Sequence, residues 1–356
     1  MRRVLTAATA GVLLLLAGCS SAATGGTSTS TGSASSGSTS SAAAAAAAPV
    51  TVRLGFLENI THASALVALK NGYFTQDLGS AGSVKPTAFS TGTEEETALL
   101  AGQLDAAYVG PNPAIDTWQK SNGTEIKVIS GAADGGASLV VKKGITSAAQ
   151  LKGQSLATPS LGNTQDVAVR WWLKQHGLTT NATGGGDVSI KPTKPNSAAV
   201  DEFESGQIAG GSEPAPYDIE MVKDGGTVLM SEPGVTTLLV VTQSFLSAHP
   251  AIVADLLKAQ IQANDFIKNN PTAAQAATNA ELAQYTGKPL KASLVAASFK
   301  EITFTDDPDQ TSLVQDAQEA TGLGLLSAVV NLPNLFDLTP LNTALTAAGE
   351  PTVSTP

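Results

Sequence analysis

Short apolar runs alternate with amphipathic segments along the chain from Val50 onward. The runs typical of strands lie at 52–56, 84–89, 106–109, 126–130, 139–141, 156–158, 188–191, 208–210, 228–230 and 238–241. The segments typical of helices lie at 63–69, 94–101, 114–119, 167–175 and 198–204. Strands that alternate with helices in this way predict parallel sheets covered by helices on both faces. After residue 241 the pattern is mostly helical, since Val253, Leu257 and Ile261 recur on one helical face.

The alternation falls into two series, joined by extended segments near 138–142 and 228–240. We therefore predict an α/β protein with a two-lobed fold of the periplasmic-binding-protein type, in which each lobe is a mainly parallel sheet flanked by helices and the hinge is two crossing segments. The predicted divisions are lobe I at 50–138, lobe II at 139–230, and a return to lobe I with C-terminal helices at 231–356. Asp134-Gly135-Gly136 precedes the first crossing and indicates a hinge.

The first nineteen residues indicate export. Two arginines precede an apolar run that ends in Leu16-Ala17-Gly18-Cys19, and this run is shorter than the ~20 residues of a membrane span. The pattern predicts a signal peptide at 1–18, and the end of it resembles a lipobox, which implies cleavage before Cys19 and a lipid on its thiol. The alternative is an ordinary secretory signal in which the cysteine is incidental. Residues 20–48 contain only Ser, Thr, Gly and Ala, so we expect 19–49 to be a disordered tether between an extracytoplasmic body and the cell membrane.

The composition excludes several function classes. The net charge of −10 argues against binding to nucleic acid. Cys19 is the only cysteine, so the sequence holds no disulfide framework and no cysteine-based metal site. The histidines at 62, 176 and 249 lie far apart and form no paired metal motif. We therefore predict no metal and no cofactor.

Four predicted strands end in turns that contain helix-capping residues, at 58–63, 90–93, 110–113 and 159–164. Thr93 with Glu96 and Asn163 with Asp166 have the spacing of capping boxes, and Asn112 precedes a proline suited to a helix start. Parallel strands bring such starts to one edge of a sheet, where their free N–H groups bind an anion without any basic side chain. The alternative is that these capped turns serve the fold alone, as they do in many α/β proteins.

A set of short strings occurs in a characteristic order along this part of the chain. The strings are Arg53-Leu54-Gly55-Phe56, Asn71-Gly72-Tyr73-Phe74, Leu100–Ala107 (LAGQLDAA), Val109–Pro113 (VGPNP), Leu151-Lys152-Gly153-Gln154, Leu161–Asp166 (LGNTQD) and Glu213-Pro214. Together they resemble the nitrate/sulfonate/taurine-type (aliphatic sulfonate) solute-binding lipoproteins of ABC importers, over Val50 to about Glu232. The resemblance implies two lobes that close over a small solute and deliver it to a membrane permease driven by a cytoplasmic ATPase.

Carried over by position, the resemblance implies a ligand site spread over the turns of both lobes. The site residues that it implies are Thr61, His62, Ala63, Gly92, Thr93, Gly110, Pro111, Asn112, Gly162, Asn163, Thr164, Gln165, Glu213 and Tyr217. Relatives often have an aromatic residue directly after the Glu-Pro pair, whereas this chain continues with Ala215-Pro216, so we expect Tyr217 to replace it. Leu57 and Leu161 are candidates for contact with an alkyl tail, or for the core.

Glu213 would repel a bound anion unless it accepts a hydrogen bond from an amine or from His62, which favours a zwitterion such as taurine over nitrate. Trp171 and Trp172 are adjacent in a helix and cannot share one face, so we expect one in the core and the other on a lobe surface. The three glutamates at 94–96 are interpreted as a helix start favoured by the helix dipole.

The sequence thus predicts a monomeric, lipid-anchored binding protein, not an enzyme, for an aliphatic sulfonate or taurine. Nitrate, bicarbonate and a thiamine-precursor pyrimidine stay open as solutes. Two other functions are weighed against import. One is an enzyme similar to the pyrimidine-precursor synthases that share this fold, and the other is a sensor that presents its ligand to a membrane receptor.

Overall fold

A computed structural model describes residues 48–327, 332 and 334–354. The predicted signal peptide, Cys19 and all of the tether except Ala48 and Pro49 lie outside the described residues. The described strands are β1 (Val50–Leu57), β2 (Gly82–Phe89), β3 (Ala106–Val109), β4 (Ile126–Gly135), β5 (Ala137–Val141), β6 (Ser155–Thr158), β7 (Ser189–Pro192), β8 (Gly210–Pro214), β9 (Thr227–Ser231), β10 (Val235–Thr242) and β11 (Ile302–Phe304). Single-turn 3-10 helices lie at Ile60–His62 and Ala148–Leu151.

The described α-helices alternate with the strands up to β10 and dominate after it. They are α1 (Ala63–Lys70), α2 (Tyr73–Leu78), α3 (Gly92–Leu100), α4 (Pro111–Lys120), α5 (Thr164–Gln175), α6 (Ser197–Glu204), α7 (Tyr217–Lys223), α8 (Gln243–Ala248), α9 (Pro250–Asn269), α10 (Pro271–Thr286), α11 (Ala292–Ser298), α12 (Gln310–Gly322) and α13 (Thr339–Ala348). None of the helices within the described ranges is long and apolar enough to cross a membrane.

The strands form two sheets. Sheet A has the order β11-β4-β10-β3-β1-β2, and sheet B has the order β7-β6-β8-β5-β9. In sheet A, β1 runs parallel to β2 and β3, whereas β10 is antiparallel to β3 and β4. In sheet B, β6 runs parallel to β7 and β8, whereas β5 is antiparallel to β8 and β9. We call sheet A with its helices lobe I, and sheet B with α5, α6 and α7 lobe II.

Both sheets are covered on both faces, which explains the continuous apolar character of their central strands. One face of sheet A packs against α1, α2, α9, α10 and α13, and the other against α3, α4 and α12. In sheet B, Leu156 and Val169 belong to the core beneath α5, whereas Phe203 and Met221 belong to the core beneath α6 and α7. The predicted α/β class with two helix-flanked sheets is confirmed.

The chain passes between the sheets twice within a few residues of each other. It leaves β4 at Gly135 and enters β5 at Ala137, and it returns over the three residues between β9 and β10. Gly135 and Gly136 have φ angles of 68° and 78°, and a Cβ added at Gly136 would lie 2.3 Å from Ile302 Cγ1. Glycine is therefore required at this crossing by both conformation and space. The predicted lobe boundaries at 139 and 231 stay predictions about where the lobes hinge.

Candidate functional site

A small cavity lies where turns from the two lobes meet. It is lined by Leu57, Asn59, Thr61, His62, Gly92, Gly110, Pro113 and Thr236 of lobe I and by Asn163, Thr164, Gln165 and Pro214 of lobe II. Its volume is about 20 Å³, which is room for about one water molecule. A solute therefore requires the lobes to stand farther apart than they do in this structure.

The turn after β1 is built from local hydrogen bonds. Asn59 Oδ1 accepts from the backbone N–H of Thr61 at 3.0 Å and from its hydroxyl at 2.7 Å. His62 Nδ1 accepts from the backbone N–H of Leu57 at 3.2 Å, so the neutral imidazole carries its proton on Nε2. Burial lowers the pKa of His62 to about 3. His62 is thus a neutral hydrogen-bond donor at the cavity and not a cation.

The start of α3 differs from the predicted one. The N-cap is Thr91, whose hydroxyl accepts from the backbone N–H of Glu94 at 3.4 Å, so the prediction that Thr93 caps this helix is wrong. Glu96, the predicted partner of Thr93, instead forms an ion pair with Lys120 at 2.6 Å. The helix begins two residues earlier than expected because Gly92 tolerates the close packing of Pro113, whose Cγ lies 2.6 Å from where a Cβ would be.

The start of α4 also differs. Gly110 is the N-cap and Pro111 is the first helical residue, so the prediction that Asn112 caps this helix is wrong. Prolines at 111 and 113 have no N–H, which leaves this helix start poor in backbone donors. The buried side chain of Asn112 provides one instead, because its Nδ2 has no hydrogen-bond partner among the described residues.

Helix α5 is capped by Asn163, as predicted. Asn163 Oδ1 accepts from the backbone N–H of Asp166 at 3.0 Å, and Asn163 Nδ2 donates to Gln165 Oε1 at 2.9 Å. The Asp166 carboxylate does not return to Asn163. It accepts from the N–H of Gly162 at 2.7 Å and pairs with buried Arg170 at 2.8 Å. This pair fixes the turn that presents the helix start to lobe I.

The starts of α4 and α5 touch across the lobes. A Cβ added at Gly110 would lie 2.7 Å from Thr164 Oγ1. Thr164 is 8% exposed, and its hydroxyl has no hydrogen-bond partner in the part of the chain that the structure describes. A buried polar group without a partner costs about 1–3 kcal/mol. The Thr164 hydroxyl is therefore a donor that an acceptor bound in the cavity would satisfy.

Half of the predicted site residues line this cavity and half do not. Those that line it are Thr61, His62, Gly92, Gly110, Asn163, Thr164 and Gln165, and those that do not are Ala63, Thr93, Pro111, Asn112, Gly162, Glu213 and Tyr217. Thr93 lies instead in a groove beside Glu94 and Lys194, which form an ion pair between the lobes. The Tyr217 hydroxyl donates to the Glu58 carbonyl at 3.2 Å and also joins the lobes.

Thr236 also lines the cavity and is not among the predicted site residues, because it lies on β10 and reaches the cavity only when the chain returns to sheet A. Its hydroxyl donates to the Gly135 carbonyl at 2.7 Å and ties the two crossings together. Asn59 and Pro113 also line the cavity. Both lie in the turns predicted at 58–63 and 110–113, but they are not among the predicted site residues.

Buried carboxyl groups surround the site on the lobe II side. Glu213 is fully buried, and neither of its oxygens has a hydrogen-bond partner among the described residues. Burial, together with repulsion from Asp218 and Glu232, raises the pKa of Glu213 well above its ordinary value. Burial also raises the pKa of Asp218 to about 8 and that of Glu232 to about 7. Its surroundings therefore favour the uncharged form of Glu213, which weakens its repulsion of an anion.

The comparisons with known proteins agree with this geometry. Residues 45–283 match the model of the NMT1-like family. The chain belongs to this family. The match, together with the relatives below, confirms the resemblance to solute-binding proteins of the nitrate/sulfonate/taurine type. The taurine-binding periplasmic protein of Escherichia coli is 25% identical over 282 residues, which span 75% of this chain and 85% of that protein.

Solved structures share the fold. The alkanesulfonate-binding protein of Xanthomonas axonopodis pv. citri bound to MOPS matches with a TM-score of 0.69 and 17% identity, over 83% of this chain and 100% of that one. The periplasmic nitrate-binding protein of Synechocystis PCC 6803 matches with a TM-score of 0.72 and 15% identity, over 84% of this chain and 89% of that one.

The raised pKa of Glu213 predicts a pH-dependent effect of Glu213→Gln on folding. Below the ordinary carboxyl pKa both the folded and unfolded states are protonated, so we expect little change in the free energy of unfolding near pH 4. Above it, the unfolded wild type gains free energy by ionising, at up to about 1.4 kcal/mol per pH unit, and the variant does not. Glu213→Gln is therefore expected to be more stable than the wild type at pH 8, as measured by urea unfolding.

The matched control is Glu301→Gln, which removes an exposed carboxyl and is expected to shift stability little at either pH. A variant Glu213→Gln that loses stability at pH 8 would show that the folded protein uses the ionised carboxylate.

Proposed function

We propose that this protein is the extracytoplasmic solute-binding component of an ABC importer and that it captures a small oxyanion by closure of its two lobes. The observation that carries the proposal is the contact between the starts of α4 and α5 across the cavity. The family and the named relatives support the same class of function. Binding without catalysis is the role proposed for the cavity.

The donors at the cavity suit an oxyanion. They are the Nε2–H of neutral His62, the hydroxyl of Thr164 and the free backbone N–H groups in the first turns of α3 and α5. A helix start contributes about 0.3–1 kcal/mol and each hydrogen bond to a charged group about 1.5–3 kcal/mol. Several such bonds together reach the roughly 8 kcal/mol of micromolar affinity.

An aliphatic sulfonate or taurine is the solute that we favour. Leu57 and Pro214 line the cavity beside the polar donors and suit a short alkyl chain. The raised pKa of Glu213 favours its uncharged form, which weakens its repulsion of a sulfonate. Nitrate, bicarbonate and a thiamine-precursor pyrimidine are the competing solutes.

The cellular setting belongs to the same proposal. We infer that the leader directs export, that Cys19 carries a lipid, and that the permease and its ATPase receive the solute from a monomeric body held near the membrane. A signal peptide without lipidation leaves the binding function as it is. Radiolabelled palmitate incorporation into the wild type, and its loss in Cys19→Ser, tests the anchor.

A thermal-shift screen of the protein against ethanesulfonate, taurine, nitrate, bicarbonate and an aminopyrimidine tests the solute class. Ligands that bind the folded state raise the melting temperature by mass action. We expect ethanesulfonate and taurine to raise it in a concentration-dependent way and nitrate to raise it less. A shift with the pyrimidine alone would contradict the proposed solute class.

Thr164→Val separates a role in binding from a role in folding. The substitution removes an unpartnered hydroxyl at nearly constant volume, so we expect the free protein to unfold at an equal or higher temperature. The loss of one hydrogen bond to a charged acceptor, about 1.5–3 kcal/mol, predicts an affinity for ethanesulfonate about 10- to 100-fold lower by calorimetry.

Thr97→Val is the matched control, because Thr97 is exposed on α3 and lies away from the cavity. If Thr164→Val binds ethanesulfonate with unchanged affinity, the Thr164 hydroxyl does not contact the solute.

A further inference from the structure

A second and larger cavity lies beside the first, and we call it the hinge chamber. Its volume is about 510 Å³, and it is enclosed by α5 of lobe II, by α12, and by the segment that returns from β9 to β10. Thr164 and Thr236 line both the hinge chamber and the small cavity. The two spaces therefore adjoin at the Thr164 hydroxyl, which is buried and has no partner within the described ranges.

The walls of the hinge chamber combine aromatic rings with carboxyl groups. Trp171 and Trp172 both line it from α5 and both are half-buried, so the expectation that one lies in the core and the other on a lobe surface is wrong. Four carboxyl groups line it from the return segment and from α12 with its N-cap, those of Glu232, Asp309, Asp316 and Glu319. None of the described lining residues is a lysine or an arginine. Lys174 lies nearby, with its Nζ 5.3 Å from the centre of the Trp171 ring and donating to the Gly322 carbonyl.

Some of the oxygen atoms of these carboxyl groups accept hydrogen bonds from the described residues, and others do not. Glu232 accepts from Ser212 at 2.8 Å and from Gln165 at 3.2 Å, and Asp309 accepts from the backbone N–H of Ser312 at 3.1 Å. Asp316 Oδ2 is shielded from solvent and accepts no hydrogen bond from the described residues.

The described residues that line the hinge chamber provide no positive charge to pair with Asp316. Burial and repulsion from Glu319, Glu232 and Asp309 raise the pKa of Asp316 well above its ordinary value. A cation placed among these groups would favour their ionised forms. An aromatic ring adds about 0.5–2 kcal/mol for an ammonium group held over its face. A purely alkyl chain in the hinge chamber would leave Asp316 without a partner.

We propose that the hinge chamber binds the ammonium end of the solute, beside Trp171 and Asp316, while its oxyanion end lies at the starts of α3 and α5. This inference rests on the proposed function and narrows its substrate class to zwitterions with a bulky cationic group, such as a quaternary ammonium sulfonate. The size of the chamber is in the range of small-molecule sites, about 300–1,000 Å³. Since both lobes contribute walls, the ammonium end adds to the contacts that close them.

The test compares two sulfonates of equal chain length with the full chain by calorimetry. One probe is 3-(trimethylammonio)propanesulfonate and the other is propanesulfonate. We expect the zwitterion to bind the wild type at least 10-fold more tightly. Asp316→Asn, which keeps the shape of the side chain, is expected to reduce this preference to less than 3-fold while propanesulfonate affinity stays unchanged. Asp201→Asn, on the exposed surface of α6, is the control and should retain the full preference.

Equal affinity for the two sulfonates in the wild type overturns the inference and leaves the proposed function intact. A preference that survives in Asp316→Asn overturns it as well. If neither sulfonate binds, the favoured solute class fails, and a titration with tetramethylammonium chloride then tests the hinge chamber by itself. The inference is supported if tetramethylammonium causes a saturable change in tryptophan fluorescence, if sodium chloride does not cause this change, and if Asp316→Asn abolishes it. The inference is overturned if tetramethylammonium causes no change.

Discussion

The close approach of Gly110 and Thr164 is the constraint on which the rest of this structure depends. It brings helix starts that belong to two different sheets to one point, where a side chain on residue 110 would collide with the hydroxyl of residue 164. The adjoining cavity holds about one water molecule, so the lobes lie closer together in this structure than they can around a bound solute. A protein that binds in such a place must open to admit its solute and close to retain it.

The chemistry of the cleft is unusual for an anion site because the charges nearby are acidic and none of the twelve cavity residues is a lysine or an arginine. Burial raises the pKa of Glu213 and of Asp218 and so favours their uncharged forms, which leaves amides, hydroxyls and helix starts as the main polar groups at the cavity. The acidic character extends into the hinge chamber, where none of the described lining residues offers Asp316 a positive charge. A solute with charges of both signs is the one that we propose for these two regions.

The sequence contains most of the fold in readable form. Apolar runs separated by amphipathic segments predicted the two sheets, because strands buried on both faces and helices with one apolar face leave different periodicities. Helix starts were predicted less well. Thr93 and Asn112 have the right chemistry for caps, but Thr91 and Gly110 take the positions because the packing of Pro113 on Gly92 and of Thr164 on Gly110 decides where the helices begin. Thr236 and the hinge chamber were not predictable, since both arise only when α12 and β10 return to the first lobe.

The central claim is that a solute shifts the two lobes toward the closed arrangement. Cys19 is the only cysteine, so Cys19→Ser combined with Thr97→Cys and Lys191→Cys gives two unique labelling sites, one on each lobe. The distance between spin labels at these sites measures the opening of the cleft directly. The account predicts that saturating taurine shortens this distance and narrows its distribution. A distance that does not change while calorimetry shows the protein to be saturated would contradict it.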